Sequence, residues 1–194
     1  MSERRSVVQR NTAETRITLE LSLDGQGLLQ GSSGIGFMDH LLELFTRHSS
    51  FNLNLQVQGD LQVDFHHTVE DIGLCLGQAL REALSDKRGL TRYASLMLPM
   101  DEVLVLCALD LSGRPGFYPQ FTFLSAKIGE FDSELVEEFC KAFANEAKLT
   151  LHLRQLAGGN SHHLAEGLIK ALARSLRAAV VIEGNQIPSS KGVL

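Results

Sequence analysis

The pattern His-His-x-x-Glu occurs twice, as His66-His67-Thr68-Val69-Glu70 and as His162-His163-Leu164-Ala165-Glu166, each time opening a long apolar-periodic segment that reads as a helix. Positions i and i+4 share a helix face. His66 with Glu70, and His162 with Glu166, therefore each present an imidazole and a carboxylate together, which is half of a metal site. The neighbouring His67 and His163 lie about 100° further round by the helix repeat and face a different ion. Each motif thus points at two metals. Mixed imidazole and carboxylate ligation without thiolate suits Mn, Fe, Ni or Zn, and the carboxylate content favours Mn or Fe over a structural Zn site.

Completing the sites requires more ligands. The first half offers Asp39-His40 and the second Glu137-Glu138, and aligning Phe45 with Phe143 sets His40 opposite Glu138. Matching positions in both halves favour ligation over a core role for His40 and a solvated role for Glu138. His48 and His152 have no such counterparts and read as structural. Lys170 follows His163 by two helical turns on the same face, with Arg174 one turn beyond; it reads equally as a holder of an anionic substrate end or as a solvated lysine. Arg92 and the turn sequence Ser112-Gly113-Arg114-Pro115-Gly116 add two arginines, which by turn chemistry alone are solvent-exposed. The tail Pro188-Ser189-Ser190-Lys191-Gly192 combines hydroxyls with an ammonium, a set suited to phosphate, although a terminal segment ordinarily frays. Gly31-Ser32-Ser33-Gly34-Ile35-Gly36 lacks the Gly-Lys-Ser/Thr ending of a phosphate loop and reads as a turn before a helix.

The elements that must position these groups also come in two sets. In the first half, Phe37, Leu41, Leu44, Phe45 and His48 follow helical spacing, residues 51–57 alternate as a strand, and a helix runs from 66 to about 85. In the second, Leu135, Val136, Phe139, Ala142 and Phe143 give a helical face, residues 149–156 alternate, and a helix runs from 162 to about 181. Upstream strands are expected at 14–23 in the first half, and at 103–111 and 120–124 in the second. The polar stretch Asp86-Lys87-Arg88-Gly89 is the natural seam, giving repeats at 1–88 and 89–194. Strands and helices in this arrangement argue an α+β fold. Since neither half alone holds enough ligands for two metals, the two His-His helices are expected to pack close together.

With 194 residues, 44% of them hydrophobic, the chain can build one large or two small cores. A net charge of −5 supplies no basic field for nucleic acid, and no apolar run approaches a membrane span. The start, Met1-Ser2-Glu3-Arg4-Arg5-Ser6, has no apolar stretch behind its arginines; no secretory signal and a cytoplasmic address are expected. Cys75, Cys107 and Cys140, odd in number and unrelated in spacing, read as buried reduced thiols.

Together, Gly36-Phe37-Met38-Asp39-His40, His66-His67-Thr68-Val69-Glu70-Asp71, Leu111-Ser112-Gly113-Arg114-Pro115, Asn160-Ser161-His162-His163 with Glu166, and Pro188-Ser189-Ser190-Lys191-Gly192 closely resemble the imidazoleglycerol-phosphate dehydratase family of histidine biosynthesis. The motifs match in order and spacing over nearly the whole chain. The resemblance implies a tandem duplication of a unit with a four-stranded sheet and two helices packed on one face. It implies two Mn2+ ions per active site, one on His40, His67, His162 and Glu166, the other on His66, Glu70, Glu138 and His163. Many family members carry histidine where this chain has Glu138, a carboxylate that can also ligate. The implied reaction removes water from D-erythro-imidazole glycerol phosphate to give imidazole acetol phosphate, with the substrate ring held between the ions as imidazolate. By the same resemblance Glu14 is the proton shuttle, and Arg92, Arg114, Lys170, Ser189, Ser190 and Lys191 clamp the phosphate. His40, His67, Glu70, His163 and Glu166 share the catalytic role, and with His66 and His162 the histidines and Glu70 contact the substrate. Family members form shells of 24 subunits with active sites between subunits, so a large homo-oligomer is expected.

Two other readings compete. A dinuclear metallohydrolase would ordinarily share a bridging carboxylate, and none is evident among these ligands. A metal-storage shell or metal sensor would have no use for the Arg114 turn together with the Ser189-Ser190-Lys191 tail.

Overall fold

Alternating apolar residues build two antiparallel hairpins, one in each half, and each hairpin grows into a sheet with two helices. The computed structural model describes residues 4–192 and Leu194; Met1, Ser2 and Glu3 of the amino-terminal stretch and Val193 of the tail lie outside the described residues. The first half runs β1 (Arg5–Asn11), β2 (Thr15–Ser22), β3 (Leu29–Ser32), α1 (Gly36–Ser49), β4 (Asn52–Gly59) and α2 (His66–Leu84). The second runs β5 (Tyr93–Met100), β6 (Val103–Asp110), β7 (Gly116–Gln120), a small hairpin of β8 (Lys127–Ile128) and β9 (Phe131–Asp132), then α3 (Leu135–Ala147), β10 (Thr150–Ala157) and α4 (Ser161–Ala179). The sheets have matching orders, β1-β2-β4-β3 and β5-β6-β10-β7. In each, the last-named strand is the parallel partner and the others pair antiparallel. The fold is α+β and the unit is duplicated. Even the helix ends correspond, because α1 and α3 both stop on a left-handed residue, Ser50 and Lys148.

The strand expected at 120–124 is not there. Its place is taken by β7, which ends at Gln120 and pairs with β10 from Gly116↔Thr150 to Gln120↔Arg154. Phe121 and Phe123 beyond it pack on each other edge-on, with centroids 5.6 Å apart, and lean on the core. Aromatic packing, not sheet pairing, accounts for their apolar pattern. Strands β1, β3 and β5 have no counterpart in the sequence reading, and β5, Tyr-Ala-Ser-Leu-Met-Leu-Pro-Met, contains no β-branched residue.

The two His-His helices are not each other's partners, which corrects the expectation that they pack together. Instead α2 lies on β1 and β2 and against α3, while α4 lies on β5 and β6 and against α1. Each second helix of one half therefore packs on the first helix of the other. Small residues make the α2–α3 contact close: a Cβ at Gly73 would stand 2.8 Å from the Phe139 carbonyl oxygen, and Gly77 meets the Phe143 carbonyl and the Ala147 amide nitrogen. Phe45 and Phe143, the residues that align the two halves, meet edge-to-face with centroids 6.2 Å apart, as equivalent positions near a pseudo-two-fold axis do. They belong to one core that runs through both halves and buries Met38, Phe51, Phe131 and Phe139 as well. Each such side chain contributes roughly 1.5–3 kcal/mol by leaving water.

After α4 the chain returns to the junction between halves. Leu90 bridges Ile182, the Gly89 amide donates to the Gln186 carbonyl, and Glu183 donates back to Gly89. Gly89 has φ 74°, a left-handed conformation in which glycine carries no side-chain penalty, and an added Cβ would run into the Gly184 carbonyl. This pairing delivers residues 188–191 beside Arg92.

Candidate active site

Helices α1 and α4 bring three ligand-type side chains to one point. His40 and His162 each set Nε2 2.9 Å from Oε1 of Glu166. The three ligand atoms lie within 4.8 Å of one another. Local hydrogen bonds explain the placement. Asp39 accepts from Ser32 Oγ at 2.5 Å and from the Ser33 amide at 2.6 Å, folding the glycine-rich turn back onto the start of α1 beside His40. Asn160 caps α4, its Oδ1 accepting from the amides of His162 at 2.9 Å and His163 at 3.2 Å. Phe37 then buttresses the His162 ring edge-on at 5.1 Å. Phe37, His40, His162 and Glu166, with Phe65 and Phe131, line a cavity of about 670 Å³.

Glu166 is buried, and burial alone would raise its carboxyl, but hydrogen bonds from Lys170, His40 and His162 overcome this and bring it down to about 2. Lys170 Nζ stands 2.5 Å from Oε2 and touches the Met100 sulfur at 3.3 Å. An ionised carboxylate oxygen and two imidazole nitrogens on a common point fit a divalent cation that accepts mixed N and O ligands.

The counterparts on α2 and α3 are His66, Glu70 and Glu138, and their ligand atoms do not gather in the same way: among the described residues the group on α1 and α4 is the one such cluster. Glu138 is ion-paired to Lys141 at 3.1 Å. The second histidines of the two motifs face acidic turns. His67 places Nδ1 2.9 Å from Asp60 Oδ2 and Nε2 3.7 Å from Glu14; His163 places Nδ1 2.9 Å from Glu102 Oε2 and Nε2 3.8 Å from Asp101. The hydrogen bond to Asp60 raises the His67 imidazole above its ordinary value, and that to Glu102 does the same for His163.

Glu14 sits in the β1–β2 turn, where Thr12 Oγ1 accepts from the amides of Glu14 at 3.1 Å and Thr15 at 2.9 Å. Thr15 in turn donates to Asp71 of α2, which also holds Arg10 at 2.8 Å. The motif helix thereby anchors the turn that carries Glu14.

A second cavity, of about 340 Å³, is lined by Arg92, Arg114, Ser189, Ser190 and Lys191, with Tyr93 and Leu194. Five of the six residues expected in a phosphate clamp thus meet. Lys170 does not join them, standing against Glu166 instead. Arg92 binds Asp110 through Nε at 2.7 Å and the Pro188 carbonyl through another nitrogen at 2.6 Å, so its guanidinium holds the tail over the cavity.

Sequence reasoning missed Asp60, Asp101 and Glu102, whose one visible signal is that each lies in an acidic turn flanking a motif or hairpin. The cysteines are buried and free as expected, and burial pushes the Cys75 and Cys107 thiols up to about 12.

A sequence profile of imidazoleglycerol-phosphate dehydratases matches residues 33–176. A relative of that name from Moorella thermoacetica is 54% identical over 193 residues, covering 98% of both chains. The crystal structure of imidazoleglycerol-phosphate dehydratase from Staphylococcus aureus superposes with a TM-score of 0.84 at 39% identity, covering 92% of this chain and 99% of that one. IGPD from Pyrococcus furiosus superposes with a TM-score of 0.82 at 34% identity, covering 96% of this chain and all of its own. With motifs, fold and full-length similarity in agreement, the chain belongs to the imidazoleglycerol-phosphate dehydratase family.

Proposed function

We propose that this hydro-lyase of histidine biosynthesis dehydrates D-erythro-imidazole glycerol phosphate at a site that holds two Mn2+ ions. The observation that carries the reading is the convergence of His40, His162 and Glu166 from helices of different halves. His67 would complete that set, and His66, Glu70, Glu138 and His163 would hold the second ion. Since three of these eight groups converge within one chain, the remaining ligands are brought together across subunit boundaries. When bound, two such cations supply Lewis acidity to the substrate's imidazole ring and so ease a difficult elimination.

The chain's own residues supply the rest. Glu14, on an anchored turn 3.7 Å from His67 Nε2, moves a proton between carbon and oxygen. Arg114, Ser189, Ser190 and Lys191 grip the phosphate, with Arg92 fixing the tail that carries three of them. Binding energy from that remote group orients the reacting carbon. Lys170 keeps Glu166 ionised, and Phe37 and Phe131 pack on each other in the cavity wall beside the cluster.

A homo-oligomer, a 24-mer by family resemblance, suits the outer faces of the sheets. That of the second sheet exposes Met97 and Tyr118, 63% and 54% accessible, whereas the first presents Gln9, Arg16, Asn54 and Gln56. Among the described residues no helix is long and apolar enough to cross a membrane, in keeping with a cytoplasmic enzyme. The test is direct. Protein stripped by chelator and reloaded with Mn2+ should convert imidazole glycerol phosphate to imidazole acetol phosphate, and His67→Ala or Glu166→Ala should lose both metal and activity. Full activity in chelator would overturn the reading.

A further inference from the structure

We propose that Asp60 and Glu102 are positioning residues, each accepting the Nδ1–H of the second histidine in its half's His-His-x-x-Glu motif and thereby leaving Nε2 as the lone-pair nitrogen offered to a cation. This rests on His67 and His163 being ligands, as read above.

The hydrogen bonds themselves fix the tautomer. A carboxylate can only accept, so the 2.9 Å contacts of His67 Nδ1 with Asp60 and of His163 Nδ1 with Glu102 put the proton on Nδ1 in both rings. By the same rule His40 and His162, whose Nε2 atoms stand 2.9 Å from Glu166 Oε1, carry their proton on Nε2, so His67 and His163 are the two rings whose carboxylate contact leaves Nε2 unprotonated. Neutral imidazole ligands need such an outer partner to hold both tautomer and ring plane.

The two carboxylates come from non-equivalent places. Asp60 directly follows β4, which ends at Gly59; the residue that directly follows β10, which ends at Ala157, is Gly158, which has no side chain to offer. Glu102 lies in the β5–β6 turn, whereas the matching β1–β2 turn carries Glu14, which faces Nε2 of His67 and not Nδ1. Duplication alone would have kept equivalent residues. The two halves have instead reached one arrangement by different routes, and the first route leaves Glu14 free for proton transfer.

Neither carboxylate is needed to cap its helix. Asp64 accepts from the His66 amide at 2.8 Å on α2, and Asn160 caps α4. Asp60 also has its other oxygen buried without a hydrogen-bond partner, an unfavourable state for a residue with no role beyond the fold. Glu102 additionally accepts from the Asn160 amide at 3.1 Å, which ties the His163 partner to the α4 cap.

The deciding measurement is a Mn2+ titration of the full-length protein followed by the EPR signal of the free ion, beside thermal melts by circular dichroism. Asp60→Ala and Glu102→Ala should each weaken binding of one ion by about 10- to 100-fold. Asp60→Asn and Glu102→Gln, whose amide oxygens still accept from Nδ1, should bind close to the wild type. Wild-type affinity in both alanine variants would overturn the proposal, and so would amide variants as weak as the alanine ones, since charge and not orientation would then be at work. His67→Ala and His163→Ala separate this from the metal reading: if they too bind Mn2+ normally, the ligand assignment itself fails. Should Asp60→Ala not fold, the Glu102 pair decides, because Glu102 is exposed in a turn.

Discussion

Glu166 shows how much a single side chain can integrate. Its carboxyl, ordinarily near 4.5, is held at about 2 because Lys170, His40 and His162 outweigh the effect of burial. A carboxyl lowered in the fold stabilises it above the unfolded value and loses that contribution as pH falls through the folded one. Metal-free protein should therefore lose stability between about pH 4.5 and pH 2 partly through this group. Urea midpoints taken at pH 6 and pH 3 should differ less in Glu166→Gln than in the wild type. Glu14 makes a different prediction, because it contacts no residue of the α1–α4 cluster. Glu14→Gln should lower kcat by about 10²- to 10⁴-fold while Mn2+ stoichiometry, read by metal analysis, stays unchanged. Ligand candidates were legible at this scale because the i, i+4 spacing on a helix is a geometric statement. Asp60, Asp101 and Glu102 were not, since an acidic residue in a turn has no period to reveal which ring it will meet.

At the scale of elements, the four helices and the central strands β2, β4, β6 and β10 could be read from their periods because in each strand apolar, buried residues alternate with polar or less buried ones, throughout β2 and β6 and over the first half of β4 and β10. The edge strands could not. In β5 burial alternates but the exposed positions carry Tyr93, Met97 and Pro99, so hydropathy does not, and in β3 all four residues are partly or fully exposed. Helix partners were equally hidden, and the sequence reading mispaired α2 with α4. What decides the pairing is the small-residue face of α2, where Gly73 and Gly77 lie against the backbone of α3. Gly77→Ala gains about 1 kcal/mol of helix propensity, but it drives a methyl into backbone atoms that cannot retreat, at a cost of about 1–3 kcal/mol. Net destabilisation and a lowered Tm are expected; a raised Tm would mean that the helices can separate without loss.

For the whole molecule, the cavity under the tail and the cluster on α1 and α4 are distinct places on one chain, lined by different residues. The tail should therefore be separable from the metals. A protein ending at Ile187 lacks Ser189, Ser190 and Lys191 and should lose turnover while retaining nearly all bound Mn2+, measured by activity and metal analysis on the same sample. Normal turnover would remove the tail from the site. The duplication was visible in the sequence, as was the α+β class, because both are written in repeated local patterns. Why His66, Glu70 and Glu138 do not gather as His40, His162 and Glu166 do was not, since both sets have the same spacing along the chain.

The crossed packing of α2 on α3 and α4 on α1 has a consequence for how such a chain could arise. A polypeptide with a single β-β-β-α-β-α unit would have to find those helix neighbours in a twin, so its earliest workable form is a symmetric pair with two identical pockets. Fusing the twins into one gene releases the pockets from identity, because a change in one is no longer mirrored in the other. His40 set against Glu138, and Glu14 against Glu102, are the marks of that release.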